Sequence, residues 1–290
     1  IDVSVIIVNY NTCDLLHDGI KSIYEQTKDM VFEIIVVDNA STDGSFEMLK
    51  EKHPEVRILR NVENIGFGRA NNKGAKIAEG KYLFFLNSDT LLLNNAIKIF
   101  HEYCEQSELK IGALGSILKS INGENIHSYG HFLTISGELK DLLSKYIRAL
   151  KDTTIHHPES VSNSKDVDYI TGADLFVPRM VFKDLGGFDP RFFMYCEEVD
   201  LQRRMANAGY LRRIIAGIYI IHLEGGSDSS KTKYWSINRS KNLLRSKKIY
   251  FAKYNGGIKF LLFRIVYAIL WAPIIIYLIL KNGKNSKGKI

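Results

Sequence analysis

Residues 3–50 read VSVIIVNYNTCDLLHDGIKSIYEQTKDMVFEIIVVDNASTDGSFEMLK, and the hydrophobic period changes twice along them. Val3–Val8 is a nearly continuous run of β-branched residues, the pattern of a strand covered on both faces. From Cys13 to Gln26 the apolar residues Leu15, Leu16, Ile20 and Ile23 recur near helical spacing. Phe32–Val37 is a second β-branched strand, ending at Asp38. Strand, helix and strand in this order predict parallel strands joined by a right-handed crossover.

The alternation continues outward from this unit. Ser41 is expected to cap a helix through Lys50, followed by a strand over Val56–Leu59 and a glycine-broken helix over Gly66–Ala78. Tyr82–Leu86 is a fourth strand, running into Asn87-Ser88-Asp89. A helix over Leu92–Cys104 and a strand over Ile111–Leu114 come next. Ser116–Asp166 is irregular, and we read it as an insertion with a hairpin and a flexible stretch. Order resumes with a strand at Asp174–Val177, a helix at Arg179–Leu185, a helix to Ala208 ended by Gly209, and a strand over Leu211–Ile221 leading to His222. The fold class is α/β: a Rossmann-like, mostly parallel central sheet with flanking helices. Such sheets bind ligands at the carboxyl ends of their strands. Asn9, Tyr10, Asp38, Asn39, Asn87 and Asp89 all fall there.

The 290 residues carry a net charge of +7, unevenly spread. Residues 231–290 hold 14 Lys and Arg and no acid, which leaves 25 basic and 32 acidic groups in the first 230. We therefore divide the chain into a domain at 1–230 (a nucleotide-binding half at 1–115, the insertion at 116–166, an acceptor-side half at 167–230) and a tail at 231–290. The tail contains FLLFRIVYAILWAPIIIYLIL at 260–280, broken only by Arg264 and Pro273. About 20 apolar residues suffice to cross a bilayer core. Lys and Arg flank the run on both sides, which suits anionic headgroups. Membrane contact through residues 239–289 is expected, with a buried core helix as the alternative. Basic residues that adjoin an apolar run do not form a nucleic-acid footprint. Cys13, Cys104 and Cys196 lack CxxC spacing, which excludes a disulfide framework or zinc finger and fits a reducing compartment. We expect no signal peptide, because the apolar run at Val3–Val8 is short and lacks a basic flank. Histidines 127, 131, 156 and 157 are read as solvated loop residues.

Two constellations carry chemistry. Glu197, Glu198 and Asp200 open a helix, where acids also serve the macrodipole. They follow Phe192-Phe193-Met194-Tyr195, and apolar surface beside paired carboxylates raises a pKa toward that of a general base. Asn87 and Asp89 lie two residues apart at a strand end, on one side of extended backbone. Hard oxygen ligands there suit Mg²⁺ or Mn²⁺ bridging a pyrophosphate.

The ordered set VIIVNYN, VVDNASTDGS, N-x-GFGRANNKG, FLNSDT, GGFD and EEVDL, spanning Val3 to His222, resembles the family 2 inverting glycosyltransferases of the GT-A fold, in particular the bacterial rhamnosyltransferase-like branch. The resemblance implies that Val8, Asn9 and Tyr10 cradle the base and ribose of a nucleotide sugar and that Asp38 contacts base or ribose. It implies that Asn64, Gly66 and Arg69 line the diphosphate and base side. The DxD-like motif maps to Asn87-Ser88-Asp89, so the divalent metal (Mg²⁺ or Mn²⁺) rests mainly on Asp89, with His222 completing the site. Glu198 occupies the place of the general base, Glu197 is the runner-up, and Asp200 orients the helix or contacts the acceptor. Gly172 and Ala173 shape the floor where donor and acceptor meet. By resemblance the donor is a dTDP-rhamnose or UDP-sugar, and the acceptor a glycan or lipid-linked glycan at the cytoplasmic membrane face, in bacterial cell-surface polysaccharide synthesis. Two alternatives are a non-catalytic nucleotide-sugar binder or membrane scaffold, which would not need the acids, and a sugar nucleotidyltransferase, which would need a Gly-rich basic loop where Asn9-Tyr10-Asn11-Thr12 stands.

Overall fold

The computed structural model describes residues 1–140, 144, 163–223, 237–266 and 268–269. In chain order its elements are β1 (Val3–Asn9), α1 (Cys13–Gln26), β2 (Phe32–Asp38), α2 (Ser45–Lys52), β3 (Arg57–Arg60), α3 (Phe67–Ile77), β4 (Tyr82–Asn87), β5 (Thr90–Leu92), α4 (Ala96–Gln106) and β6 (Ile111–Gly115). Then follow β7 (Tyr129–Gly130), β8 (Lys165–Asp166), β9 (Tyr169–Ile170), β10 (Asp174–Pro178), α5 (Arg179–Asp184), α6 (Glu197–Asn207), β11 (Leu211–Ile214), β12 (Ile220–His222) and α7 (Ile237–Asn255).

Eight strands form one sheet in the order β3-β2-β1-β4-β10-β6-β11-β8. β1, β2, β3 and β4 are mutually parallel, as the opening βαβ unit requires. The strand at Asp174 enters between β4 and β6 running antiparallel to both. The sheet is thus mostly, not wholly, parallel, and β10 begins at the edge where β1, β2 and β4 end. Alternation along β1 serves two cores. Val3, Val5 and Ile7 pack with Leu16, Ile20 and Ile23 of α1 and Phe100 of α4. Ile6 faces the other way, with Ile35, Val37, Ala70, Phe182, Leu201 and Met205. Both faces being covered is why the strands read as continuous apolar runs.

Three local expectations are corrected. Ser41 does not cap the following helix, which starts at Ser45; its hydroxyl accepts from Asn9 Nδ2 at 2.9 Å and from the Asn11 amide at 3.0 Å. The helix expected from Leu92 starts at Ala96, because Thr90–Leu92 pairs with Ile220–His222 as a two-stranded ribbon. The single strand expected over Leu211–Ile221 is two, parted at Gly217 with φ +80°, a conformation β-branched residues avoid. In the insertion, Lys119 bridges Asn125 as a tight hairpin. His127 and His131 are exposed. His156, His157 and the apolar run at 267 and 270–280 lie outside the described residues.

The chain forms two compact units, Ile1–Phe132 with His157–Ser246, and Leu133–His156 with Lys247–Ile290. The first contains the sheet and all the site residues named above. In the second, the Lys247 ammonium donates to both carboxylate oxygens of Glu138, at 2.6 and 2.8 Å. Among the described residues no helix is long and apolar enough to cross a membrane.

Candidate active site

The carboxyl ends of β1 and β2 are fastened to each other by side chains. Asn9 is fully buried, and its Nδ2 donates to Asp38 Oδ1 at 3.1 Å. Thr12 Oγ1 donates to Asn9 Oδ1 at 2.6 Å. Asp38 is fully buried too; its Oδ2 accepts from the Ser41 amide at 3.3 Å and lies 3.7 Å from Arg60 Nε. A buried carboxylate needs such donors to remain tolerable. Tyr10, one residue beyond Asn9, is 40% exposed, whereas Val8 packs into the α3-side core.

Asn39 is the hub of the next layer. Its Nδ2 donates to Asn64 Oδ1 at 3.0 Å, and its Oδ1 accepts from Asn61 Nδ2 at 2.9 Å and the Ile65 amide at 3.2 Å. Asn64 Oδ1 also accepts from the Gly66 amide at 3.0 Å. Gly66 precedes α3 with φ +88°, and a Cβ there would meet the Phe193 carbonyl oxygen at 2.2 Å. Only glycine allows this approach. It lets the Phe67 amide donate to the same carbonyl at 2.8 Å. Further along α3, Arg69 Nε donates to Pro190 O at 2.6 Å, and the Asn72 amide pairs with both the N–H and the carbonyl of Phe188. Three residues of α3 thus hold the loop that leads to the acids.

That loop ends with Tyr195 and Cys196 in left-handed conformations, φ +70° and +66°. Non-glycine residues adopt these only where the surroundings enforce them. The turn delivers Glu197 and Glu198 into the first turn of α6. Glu197 is buried, Glu198 half-buried, and the Oε2 of each is shut from solvent without a hydrogen-bond partner. Burial pushes both pKa values up; the Glu198 charge adds to this at Glu197. Glu198 is raised to about 7, although the amides of Glu198 and Val199 oppose the shift. Gly172 lies against this acid: a Cβ there would sit 3.2 Å from the Phe67 ring and 3.9 Å from Glu198 Cβ. Asp200 is fully buried, and Arg204 Nε and Nη2 hold its Oδ2 at 2.9 and 2.8 Å. Arg204 in turn donates to the Leu185 and Gly187 carbonyls, so this acid ties α6 to the preceding turn.

The remaining cluster sits at the end of β4. The Asn87 amide donates to the Ala173 carbonyl at 3.0 Å, which sets the 172–173 floor beside the Asn87-Ser88-Asp89 motif. The β5–β12 ribbon returns His222 to the same place. His222 Nε2 lies 3.1 Å from Asp89 Oδ1 and 3.2 Å from Asn87 Nδ2. A carboxylate oxygen and an imidazole nitrogen are donor types that would suit a divalent cation, with Asp89 and His222 as the residues that would hold it. Among the described residues no group of three or more His, Cys, Asp or Glu is arranged to hold a metal.

Asn39 was located at a strand end by the sequence, but its place as the hub of the network was not. Other residues here were not expected from the sequence. Thr12 and Ser88 share a hydrogen bond of 2.8 Å that links the first and fourth strand ends. Asp174 opens an otherwise apolar strand directly after Gly172-Ala173. It is fully buried, accepts from the Ser116 amide and hydroxyl at 2.6 Å each, and leaves Oδ1 without a partner. Desolvation raises its pKa to about 7.

A mixed sheet whose strand ends gather an Asn/Asp network, an Asp–His pair and a buried acid pair defines a GT-A type of architecture. The chain matches GalNAc-T7, solved with UDP, GalNAc and Mn²⁺, at TM-score 0.59 and 17% identity, over 87% of this chain and 50% of that one. Against Staphylococcus aureus TarS 1-349 the TM-score is 0.52 at 16% identity, over 87% and 72% of the two chains. At such identities the likeness speaks for the fold alone.

The sequence goes further: residues 4–159 match the model of Glycosyl transferase family 2, and the chain belongs to that family. It is 28% identical over 202 residues to the N-acetylglucosaminyl-diphospho-decaprenol L-rhamnosyltransferase of Mycobacterium tuberculosis, covering 65% of this chain and 66% of that protein. It is 26% identical over 194 residues to the rhamnosyltransferase WbbL of Escherichia coli K12, covering 63% and 72%. A stretch of 129 residues, 43% of this chain, is 34% identical to the poly(ribitol-phosphate) beta-glucosyltransferase of Bacillus spizizenii, of which it spans 20%. The chain thus spans just under two thirds of the mycobacterial protein and a fifth of the Bacillus one.

Proposed function

We propose that this chain is an inverting glycosyltransferase that moves a sugar, rhamnose in the first instance, from a nucleoside diphosphate to a hydroxyl of a glycan or lipid-linked glycan in bacterial cell-surface polysaccharide synthesis. The observation that carries the reading is Glu198. It is a half-buried carboxyl raised to about 7, beside the 172–173 floor whose Ala173 carbonyl fixes Asn87. A base of that pKa is half ionised near neutrality and takes a proton from an acceptor hydroxyl as the oxygen attacks the anomeric carbon. Glu197, with its own pKa raised, is kept neutral beside it and spares Glu198 a neighbouring charge. Asp200 is spent on Arg204 and positions the helix.

The donor lies across the strand ends: its base and ribose against Val8, Asn9, Tyr10 and Asp38, its diphosphate toward Asn64, Gly66, Arg69, Asn87 and Asp89. Asp89 and His222 would hold Mg²⁺ or Mn²⁺. That ion, when bound, neutralises charge on the departing diphosphate. Gly172 leaves room for the acceptor between Phe67 and Glu198. The relatives' names, with L-rhamnosyltransferase and rhamnosyltransferase among them, support the sugar, and the name with diphospho-decaprenol supports a lipid-linked acceptor. In this reading the chain works at the cytoplasmic face of the cell membrane, with residues 239–289 as the membrane-associating part; a lipid-linked acceptor supports it. The test is transfer from dTDP-rhamnose and from UDP-sugars to membrane lipid extract, with and without Mg²⁺ or Mn²⁺, with product stereochemistry read by NMR. Retention of the donor's anomeric configuration, or no transfer from any nucleotide sugar, would sink the reading.

A further inference from the structure

The second compact unit contains a helix with an unusual distribution of exposure. Residues 257–266 and 268–269 are helical. Ile258 (79% exposed), Leu261, Leu262, Ile265, Val266 and Ile269 (64%) are all open to solvent. Their spacing of three and four places them on one side, within an arc of about 140° at 3.6 residues per turn. The opposite side is already used. Phe260 and Phe263 lie there, their ring centroids 5.8 and 5.7 Å from that of Phe251. Lys259 and Arg264, both exposed, fall at the two edges of the apolar arc.

We infer that this arc is a docking face for the surface of an anionic lipid bilayer, with the helix lying in the plane of the interface. Three features select that occupant. Six large apolar side chains in one contiguous stripe exceed the scattered exposure normal for a soluble surface. Flanking Lys and Arg at the edges of the stripe keep their charges in the headgroup layer while their stems stay apolar. Residues 231–290 contain 14 Lys and Arg and no acid, so charge complementarity is to an anionic surface. The in-plane geometry follows from Phe251. A helix surrounded by lipid presents apolar residues all round, whereas this one keeps a face on its own unit.

The inference deepens the membrane part of the reading above, and its test is separate from sugar transfer. The full chain would be sedimented with vesicles of phosphatidylcholine alone and of phosphatidylcholine mixed with phosphatidylglycerol. Binding to the mixed vesicles that weakens as salt rises is expected. L261D/I265D should lower partition at least about 100-fold, since each substitution removes an aliphatic side chain from the lipid-facing stripe and adds a charge. K259Q/R264Q should lower partition to anionic vesicles by about 30-fold and leave the residual binding to neutral vesicles unchanged. Stabilisation by nucleoside diphosphate, read as a thermal shift, should be the same in all variants, which confirms folding and keeps the donor-site reading separate. Equal binding to neutral and anionic vesicles, or undiminished binding by L261D/I265D, would overturn the proposal. So would a Leu261-dependent dimer that binds no vesicle.

Discussion

Replacing Glu198 with glutamine should have two opposite effects, both set by its burial. In the folded protein the carboxyl titrates at about 7, against an ordinary value of 4.5. The folded state therefore binds this proton more tightly than the unfolded chain. An acid with a raised pKa contributes nothing below pH 4.5 and destabilises progressively as pH rises, by about 3 kcal/mol at pH 8 (about 2.5 pK units at 1.36 kcal/mol each). Glutamine is isosteric and uncharged, so E198Q should be more stable than the parent at pH 8 by up to about 3 kcal/mol. For a chain of 290 residues that is roughly 5 °C in melting temperature. At pH 5 the difference should nearly vanish. Loss of a general base should meanwhile lower kcat by on the order of 10²–10⁴-fold. In the parent, kcat/KM should rise with pH through about 7 and level off, and E198Q should lose that dependence. Differential scanning fluorimetry at pH 5 and 8, together with a pH profile of transfer, measures both arms. If E198Q melts at the parent's temperature at both pH values, the carboxyl is not desolvated as described. If it keeps more than a tenth of parental turnover, Glu198 is not the base, and E197Q becomes the variant to test.

Four further outcomes follow from the same geometry. Asp89→Ala should abolish Mg²⁺- or Mn²⁺-dependent stabilisation by the cognate nucleoside diphosphate, which for the parent at 100 times Kd is about 2.7 kcal/mol by thermal shift. Gly66→Ala forces a Cβ onto the Phe193 carbonyl at φ +88°; it should cost about 3 kcal/mol or more in urea unfolding and reduce activity along with stability. Asp174→Ala strips the Ser116 amide and hydroxyl of their acceptor, with an expected loss of about 2–4 kcal/mol at about pH 4, where the raised pKa of the carboxyl costs little. His53, buried and 2.8 Å from His17, has its pKa depressed by desolvation and by that neighbour. The stability of its neutral form is present above pH 6.5 and lost as pH falls below it, so His53→Phe should flatten the acid side of a stability–pH curve between pH 7 and 5.

The sequence was most informative where one periodicity ruled a long segment. Helix α1 has the expected bounds, Cys13–Gln26, and β1, β2, β4 and β6 lie within a residue of theirs, because their apolar runs face packed layers on both sides. What was not legible depended on distant pairing. Thr90–Leu92 carries the same apolar letters a helix start would; only Ile220–His222 opposite makes it a strand. The direction of β10 could not be read from Asp174–Val177, since a strand's apolar content is indifferent to its direction. Among the site residues, Asn9, Asp38, Asn87, Asp89 and His222 are brought together by the strand ends on which they were located. Asp200, by contrast, is drawn to Arg204 by a helical i, i+4 spacing that was equally visible in the sequence. Asp174 escaped notice because an Asp at a strand start is a common letter. Its burial is what makes it unusual, and burial belongs to the fold.

The hold of α3 on the 188–193 loop has a consequence for motion. Phe67, Arg69 and Asn72 fasten Phe193, Pro190 and Phe188 over two turns of one helix, so the loop before the acids has no free length to swing. Amide protons of Phe67 and Phe188 should exchange with deuterium on the timescale of global unfolding, and not on that of a flapping lid. Glu198 is then held at a fixed position before any ligand binds.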